Sequence, residues 1–420
     1  MQPKPAFTRY QIFVVAILAF LQFTIVLDFM ILSPLGAMLM DKLRITTAQF
    51  GFVVSAYAFS AGASGILAAG FADKFDRKRL LLFFYAGFLI GTLCCGLAPN
   101  YNMLLLARIV TGVFGGVIGS ISFAIIADMF PFEVRGRVMG FVQTAFAAAQ
   151  IMGLPLGLLL SNHFGWHAPF LMIAAVSAAV GILIIAGLRP ITGHLALKSD
   201  RNPLQHLLKT VGRPRYLAAF AATTLLATGG FMLMPFGSAF SVHNLGIPLS
   251  DLPMIYLITG LSSIVAGPLI GRLSDAVGKY NLFVMGSVLM MVVVLYYCNL
   301  GVTPLWLVIA INVVMFIGIT ARMISSQALA SAVPDPQDRG AFMSINSSTA
   351  QISGGIAASI AGLIVVQNPD GSLGRYGTLA WVVAAAIAIT IGLMYNINRI
   401  VKVKLAQDAP APAVRAAQAG

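Results

Sequence analysis

Twelve long apolar runs decide what this chain can fold into. Each run is about 20 residues or longer, which is the length that an α-helix needs to cross a bilayer. The runs are continuously apolar and do not alternate with polar residues, which favours helices over the strands of a membrane β-barrel. We predict spans at 11–40, 47–70, 80–98, 101–129, 138–161, 168–188, 215–241, 251–271, 281–299, 304–331, 341–365 and 377–398.

The hydrophobic content of the chain agrees with this interpretation. Hydrophobic residues make up 59% of the sequence, whereas soluble domains are about 45–50% apolar. A soluble core could not bury that much apolar surface, so lipid must cover part of it. The first run is too long for a signal-peptide core, so we expect it to be retained as a span. The predicted fold class is an all-α membrane protein with twelve transmembrane helices.

The positive charge of the chain is distributed unevenly between the two ends of this predicted bundle. Of 26 Lys and Arg, Arg108 and Arg322 lie inside spans, and Lys42, Arg44 and Arg375 fall at one end. The other 21 fall at the opposite end, as the positive-inside rule requires of a cytoplasmic face. The net charge of +13 is therefore a topology signal and does not indicate nucleic-acid binding. We expect both termini to be cytoplasmic, in a plasma membrane that is a bacterial inner membrane.

The chain divides into two related halves. Residues 189–214 form a polar, basic linker between a six-helix half (1–188) and a second six-helix half (215–400). Matching residues recur at nearly one spacing: Asp73 with Asp275, Cys95 with Cys298, Arg135 with Arg339 and Met139 with Met343. Six plus six duplicated spans is a transporter plan with the substrate site between the halves. The Ala/Pro-rich tail 401–420 is predicted to be a disordered cytoplasmic segment.

Asp28 and Arg108 are the first candidates for function. An Asp at a helix centre costs about 2.5–3.5 kcal/mol on insertion scales, and such residues face the bundle interior. Arg108 cannot deprotonate and therefore needs a carboxylate or several carbonyls, and Asp28 is the natural partner. Asp28 is predicted to couple transport to protons or to balance a cationic substrate, and the alternative is a permanent structural ion pair. Thr24 should lie on the same helix face as Asp28.

Other polar groups within the spans are candidates for substrate binding. Arg322 has no mid-span acid in its own half, so its partner is either neutral polar groups or a substrate anion. Met232 stands beside Gly229-Gly230 and could belong to an adaptable apolar wall, although ordinary packing is the more common role of such a residue. The candidate substrate-binding residues are Gln22, Asp28, Tyr57, Gln143, Met232, Arg322 and Asn346.

Enzyme and cofactor motifs are missing from the sequence. It has no P-loop, which argues against an ATP-driven pump. The five His and three Cys residues have no metal-ligand spacing and no disulfide framework. We therefore predict a non-enzyme with no cofactor and no metal.

The charged stretch from Ala69 to Arg79, between the second and third spans, resembles a known family signature. That signature is the loop motif Gly-x-Leu-Ala-Asp-Arg-x-Gly-Arg-Lys of the major facilitator superfamily, whose charged positions are occupied here by Asp73, Arg77 and Lys78. Ala69 and Asp76 stand where the motif has Gly. Arg108 with Gly112 is similar to the fourth-helix motif of the family, where the Arg is linked to proton transfer. The segment 153–157, Gly-Leu-Pro-Leu-Gly, looks like a degenerate antiporter motif in the fifth helix.

This resemblance implies the fold, the mechanism and a gating latch. It implies two pseudo-symmetric six-helix halves that work by alternating access. By position, Asp73 would face the start of the eleventh helix near 340–344, and Asp275 would be its counterpart in the second half. Arg77 would pair with Asp128 at the end of the fourth helix.

Several functions remain open from the sequence. The first is proton-coupled efflux of small amphipathic organic compounds by a monomer in the lipid bilayer, resembling the drug:proton antiporters. The alternatives are a sugar or metabolite carrier, an organic-anion exchanger because the spans hold two Arg against one Asp, and a non-transporting membrane sensor or scaffold.

Overall fold

The protein is a helical bundle in the computed structural model, which describes residues 7–68, 74–196, 210–335 and 339–407. The helices are α1 (Arg9–Ile31), α2 (Gly36–Leu43), α3 (Thr47–Ala68), α4 (Arg77–Gly96), α5 (Tyr101–Met129), α6 (Phe132–Ala148), α7 (Leu154–Phe164), α8 (Ala168–Gly187), α9 (Pro214–Leu233), α10 (Gly237–His243), α11 (Leu252–Val277), α12 (Lys279–Tyr297), α13 (Leu305–Ala332), α14 (Arg339–Ile364) and α15 (Tyr376–Gln407). Two short antiparallel strands, β1 (Val366–Gln367) and β2 (Leu373–Gly374), form a hairpin before α15.

Eleven helical segments in the described residues are long and apolar enough to cross a membrane. They are α1, α3, α4, α5, α6 with α7, α8, α9 with α10, α11, α12, α13 and α15. The remaining long helix, α14, has 26 residues and carries Asn346, Gln351 and several Ser residues, which lower its hydropathy. With α14 the bundle has the twelve predicted helices.

Three predicted spans are interrupted in the structure. The single helix predicted over 11–40 ends at Ile31, and α2 begins after a turn that contains Pro34. The helix predicted over 215–241 breaks into a 3₁₀ turn at Met234–Phe236, because Pro235 cannot donate a backbone hydrogen bond. The fifth predicted span, 138–161, is interrupted by a π-helical turn at Ala149–Gly153.

The last helix is longer than the sequence indicates. It continues to Gln407 instead of ending at 398, so residues 401–407 are helical where a disordered tail is predicted. The rest of that tail, 408–420, lies outside the described residues, as do 197–209 of the predicted linker. The linker ends at Pro214, the first residue of α9, where the fixed backbone of Pro suits a helix start.

The hydrophobic core joins the two halves at one end of the bundle only. We define the basic end as the one that carries Arg77, Arg135, Arg213 and Lys404. At the opposite end a single core cluster contains residues from both halves, including Phe50, Phe170, Phe236, Phe240 and Ala358. Towards the basic end each half has a separate core, one of residues between Val14 and Leu188 and one of residues between Tyr216 and Val401. The halves therefore share one hydrophobic core at the opposite end and have separate hydrophobic cores towards the basic end.

Hydrogen bonds reinforce the end with the shared core, where the two interrupted spans meet. The Ser33 hydroxyl donates to the Met234 carbonyl. The Ser238 hydroxyl donates to the Ser33 carbonyl at 2.8 Å. The Thr47 hydroxyl donates to the Val365 carbonyl at 2.6 Å, which ties the start of α3 to the end of α14. The breaks in the first and seventh spans thus supply backbone carbonyls that hold the halves together.

Candidate substrate and proton site

Asp28 and Arg108 form a buried ion pair inside the first half. Asp28 lies in the last turns of α1 and is 0% exposed, and Arg108 lies on α5 and is 1% exposed. Arg108 Nη1 lies 2.7 Å from Asp28 Oδ2 and also donates to the Asp28 backbone carbonyl at 3.2 Å. The structure therefore brings together the two residues that the sequence pairs as proton-coupling candidates.

The remaining contacts of this pair come from neighbouring helices. Thr92 on α4 donates its hydroxyl hydrogen bond to Asp28 Oδ1 at 3.2 Å. The guanidinium of Arg108 lies over the ring of Tyr57, 4.5 Å from its centroid, in a cation–π contact. Thr24 is buried one turn before Asp28 on the same helix, and its hydroxyl donates to the Leu21 carbonyl. Within the described ranges Arg108 Nε has no acceptor, so the guanidinium has capacity for another partner.

Glycines on α5 bring the pair close to α3. A Cβ atom on Gly112 would overlap the Ser60 hydroxyl and would lie 2.5 Å from the Tyr57 carbonyl oxygen. A Cβ on Gly116 would lie 2.5 Å from the Ala61 Cα. The small residues therefore let the two helix backbones approach closely, which holds the Tyr57 ring against Arg108.

Arg322 is a buried cation in the second half, and no carboxylate of the described residues pairs with it. It lies on α13, is 3% exposed, and contacts Met290 Sδ through Nη1 at 3.3 Å. Its guanidinium carbon is 5.7 Å from the Phe283 ring centroid. Among the residues that the structure describes, none accepts a hydrogen bond from Arg322 Nε or Nη2.

Arg322 belongs to the wall of a cavity of about 260 Å³ within the second half. Most of the wall is apolar, with polar groups from Thr223, Arg322, Ser326, Gln327 and Asn346. Thr223 donates its hydroxyl hydrogen bond to Asn346 Oδ1 at 2.7 Å, which orients that amide. A mostly apolar wall with a few convergent polar groups is typical of a small-molecule site.

An aromatic bridge joins the ion pair to this cavity. Phe29 follows Asp28 directly, and its ring lies 5.4 Å from the Tyr57 ring and 5.6 Å from the Phe231 ring. Phe231 lines the cavity that contains Arg322. The bridge therefore connects the Arg108 guanidinium, through Tyr57 and Phe29, to the wall of the cavity in the other half.

The other predicted substrate-binding residues lie apart from this cavity. Met232 is 1% exposed within the core cluster shared by both halves, and its neighbour Phe231 lines the cavity instead. Gln22 is partly buried on α1, and Gln143 is exposed on α6. Of the predicted set, the structure groups Asp28 with Tyr57 and groups Arg322 with Asn346.

The latch predicted at the basic end is described in part. Arg77 Nε lies 3.0 Å from Asp128 Oδ2, which joins the start of α4 to the end of α5. Asp73 lies outside the described residues, and so does the side chain of Asp275. Asp76, which stands where the family motif has Gly, caps α4 and accepts hydrogen bonds from the backbone N–H groups of Lys78 and Ile191. Asp76 thus anchors the loop to the linker.

A second ionic cluster at the basic end was missed by the sequence analysis. Asp335, just beyond α13, lies 2.8 Å from Arg215, 3.2 Å from Arg213 and 3.5 Å from Lys404. Partial burial opposes ionisation, but the hydrogen bond and charge of Arg215, and then those of Lys404, hold the pKa of Asp335 below its ordinary value. The cluster joins the start of α9 to the end of α15.

Replacing Asp335 should have a pH-dependent effect on stability. Because the pKa is lowered in the folded protein, the ionised carboxylate stabilises the fold above its ordinary pKa of 3.8 and loses that effect as the pH falls through the lowered value. Asp335→Asn should cost about 1 kcal/mol at neutral pH, since the cluster is partly exposed. Melting temperatures of the detergent-purified proteins test this. The difference in melting temperature between the wild type and Asp335→Asn should persist at pH 5 and disappear below the ordinary carboxyl pKa. An equal difference at every pH would contradict the stabilising role of the ionised Asp335 carboxylate.

Comparison with known proteins identifies the family. The model described as Major Facilitator Superfamily matches residues 18–358 and 219–416. The chain is 30% identical to the uncharacterized MFS-type transporter YceJ of Bacillus subtilis over 64% of this chain and 68% of that protein. It is 31% identical to Multidrug resistance protein 3 of Bacillus subtilis, over 36% and 30% of the two chains. It is 24% identical to a probable sugar efflux transporter of Helicobacter pylori, over 80% and 83%.

The same fold occurs in a solved transporter structure. The chain superposes with a TM-score of 0.71 on a bacterial homolog of the human lysosomal transporter Spinster, in an inward-facing and unoccupied conformation. The match covers 97% of this chain and all of that one, at 15% identity, so it shows the fold alone. From the family model, the relatives and the fold together, the chain belongs to the major facilitator superfamily of multi-pass membrane transporters.

Proposed function

We propose that this transporter exports small amphipathic organic compounds in exchange for protons, with Asp28 as the proton-carrying group. The observation that carries the proposal is the buried Asp28–Arg108 pair, which the aromatic bridge of Tyr57, Phe29 and Phe231 links to the cavity. Ionisable residues within spans mark ion pathways and proton relays in membrane proteins. The names of the multidrug and sugar efflux relatives are compatible with export.

Alternating access is supported by the distribution of the core. The halves share one core at the end opposite the basic end and have separate cores at the basic end. Under the positive-inside rule the basic end is cytoplasmic, and we propose that the separate cores at this end belong to a state accessible from the cytoplasm. Export then requires the halves to rock about the central site until the basic end closes. We propose a monomer in the bacterial inner membrane, with both termini in the cytoplasm.

The pair provides a physical basis for coupling. When Asp28 is ionised, its charge balances that of Arg108, and Thr92 satisfies the second carboxylate oxygen. A proton on Asp28 removes that balance, because Arg108 stays charged. The guanidinium then depends on the Asp28 carbonyl, the Tyr57 ring and any new acceptor for its Nε. Protonation therefore changes the forces on Tyr57, whose ring contacts Phe29.

A proton-flux assay tests the proposal. The protein is reconstituted into liposomes that contain a pH-sensitive dye, and ethidium, hexanoate or lactose is added outside. We expect an amphipathic compound to drive more proton movement in these liposomes than it drives in protein-free liposomes. Flux with lactose alone would favour a sugar carrier. If radiolabelled compounds are transported without any proton movement, proton coupling is wrong.

Removing the aromatic bridge should weaken the coupling between proton and substrate. Ring pairs contribute about 0.5–1.5 kcal/mol each, and Phe29 makes two such contacts. The ratio between the substrate affinities at high and low pH should therefore be about 5- to 150-fold smaller in Phe29→Ala than in the wild type. Affinities measured at several pH values in purified protein test this. Phe20→Ala is the matched control, since Phe20 lies on the same helix and is 55% exposed. An unchanged pH dependence in Phe29→Ala would remove the bridge from the mechanism.

A further inference from the structure

Arg322 differs from the other buried cations in having no balancing charge among the residues that the structure describes. Arg108 is paired with Asp28, and Arg77 is paired with Asp128. The structure describes no carboxylate in contact with Arg322, whose only hydrogen-bond acceptor in the described ranges is the weak thioether of Met290. A buried charge without a partner is costly, and Arg cannot neutralise itself by losing its proton. Its retention at a cavity wall therefore indicates a partner that arrives from solution.

We propose that Arg322 binds a carboxylate group of the transported compound. Two of its donors, Nε and Nη2, have no acceptor among the described residues, and they lie on the same edge of the guanidinium. That edge matches the two oxygens of a carboxylate in a bidentate pair. The cavity also offers the amide of Asn346, which the Thr223 hydroxyl holds in place, as a neutral donor beside the charged one.

The rest of the cavity limits the ligand to a singly charged molecule with an apolar body. Arg322 is the one cation in the described lining. The wall around it is formed by apolar side chains, among them Leu226, Phe231, Ile319 and Met323. A doubly charged phosphate would keep an unbalanced charge here, whereas a monocarboxylate would be neutralised by Arg322. The substrate class that fits is the amphipathic monocarboxylate.

The inference has an electrical consequence that rests on the proposed function. A carboxylate that leaves the cell carries one negative charge outward, and a proton that enters carries one positive charge inward. Both movements are equivalent to one positive charge moving inward. Exchange of one for the other therefore carries two charges per cycle, whereas export of a neutral compound would carry one. The membrane potential would then assist export at both steps.

A thermal-shift comparison tests Arg322 directly. Purified wild-type, Arg322→Met and Arg322→Lys proteins are each mixed with benzoate, phenylacetate, hexanoate and decanoate, and with the matching neutral amides. We expect at least one carboxylate to raise the melting temperature of the wild type more than its amide does. Arg322→Met should lower the affinity for that carboxylate by about tenfold or more. Arg322→Lys should retain part of the preference for the carboxylate over its amide. Arg272→Met is the matched control, because Arg272 is an exposed arginine of the same half that does not line this cavity.

A second readout needs no ligand. If Arg322 serves the substrate, Arg322→Met removes an unbalanced buried charge and should melt at the same or a higher temperature than the wild type without ligand. A clear fall in melting temperature would assign Arg322 to the fold and overturn the inference. No carboxylate-dependent shift, or an equal shift in Arg322→Met, would also overturn it. A carboxylate that binds through Arg322 but enters together with protons leaves the inference standing and removes the proposed export direction.

Discussion

Asp28→Asn protein is expected to bind and exchange its substrate but to lose proton-driven accumulation. The amide has nearly the same shape and keeps the neutral contact with Thr92, yet it can neither carry a charge nor take up a proton. One charge moving across 100 mV releases about 2.3 kcal/mol, which supports about 50-fold accumulation. The variant should fall from a gradient of that size to none, while exchange of labelled for unlabelled substrate continues.

Accumulation and exchange can be measured in the same proteoliposomes. Labelled substrate is followed first under an imposed proton gradient and then with equal substrate on both sides and no gradient. Thr92→Val is the matched control, because it removes the neutral donor to Asp28 Oδ1 and leaves the carboxylate. That control should retain proton-driven accumulation. Full accumulation by Asp28→Asn would contradict the role proposed for this carboxylate.

Arg108→Met is expected to be strongly destabilising. Removing one partner of a buried ion pair leaves the other charge uncompensated, which costs about 3–5 kcal/mol. Asp28 is fully buried, and Thr92 would be its remaining side-chain hydrogen-bond partner among the described residues. Replacing the whole pair with apolar residues of similar size is often neutral or stabilising. The double variant Asp28→Leu with Arg108→Met should therefore be more stable than Arg108→Met alone.

A double-mutant cycle over Asp28 and Arg108 distinguishes an ion pair that couples protons to transport from one that only stabilises the fold. Melting temperatures are measured for the wild type, both single variants and the double variant, together with proton-driven uptake for each. We expect the double variant to recover stability but not accumulation, because stability needs only a satisfied core whereas coupling needs the carboxylate. Recovery of accumulation with stability would mean that the pair serves only to hold α1 and α5 together.

The sequence was sufficient to predict the helices and the central pair for physical reasons. Spans must be long and apolar because lipid cannot satisfy an exposed backbone. A lone mid-span acid and an arginine that cannot lose its charge have few other partners, which is why Asp28 and Arg108 could be paired. The interruptions at Pro34 and Met234–Phe236 were missed because apolar residues continue through both breaks. The second break was not predictable from its proline alone, because a proline with apolar neighbours can either kink a membrane helix or end it.

The rest of the site depends on packing that a single sequence does not display. Thr92 reaches Asp28 from a third helix, and Phe29 meets Phe231 across the two halves. Neither contact has a sequence spacing that would indicate it. Met232 was predicted at the substrate site, but it points into the shared core and its neighbour lines the cavity. A one-residue change turns a helix face by about 100°, so residue type alone cannot choose between neighbours.

The most direct test of the account is whether Asp28 itself takes up and releases a proton. Infrared difference spectra of the purified protein between high and low pH report the carbonyl stretch of a protonated carboxyl shielded from solvent. Such a band is expected in the wild type, and it should be lost in Asp28→Asn and retained in Asp335→Asn, which removes a carboxylate at the basic end. A band that persists in Asp28→Asn, or a wild type without one across the pH range over which transport changes, would contradict it.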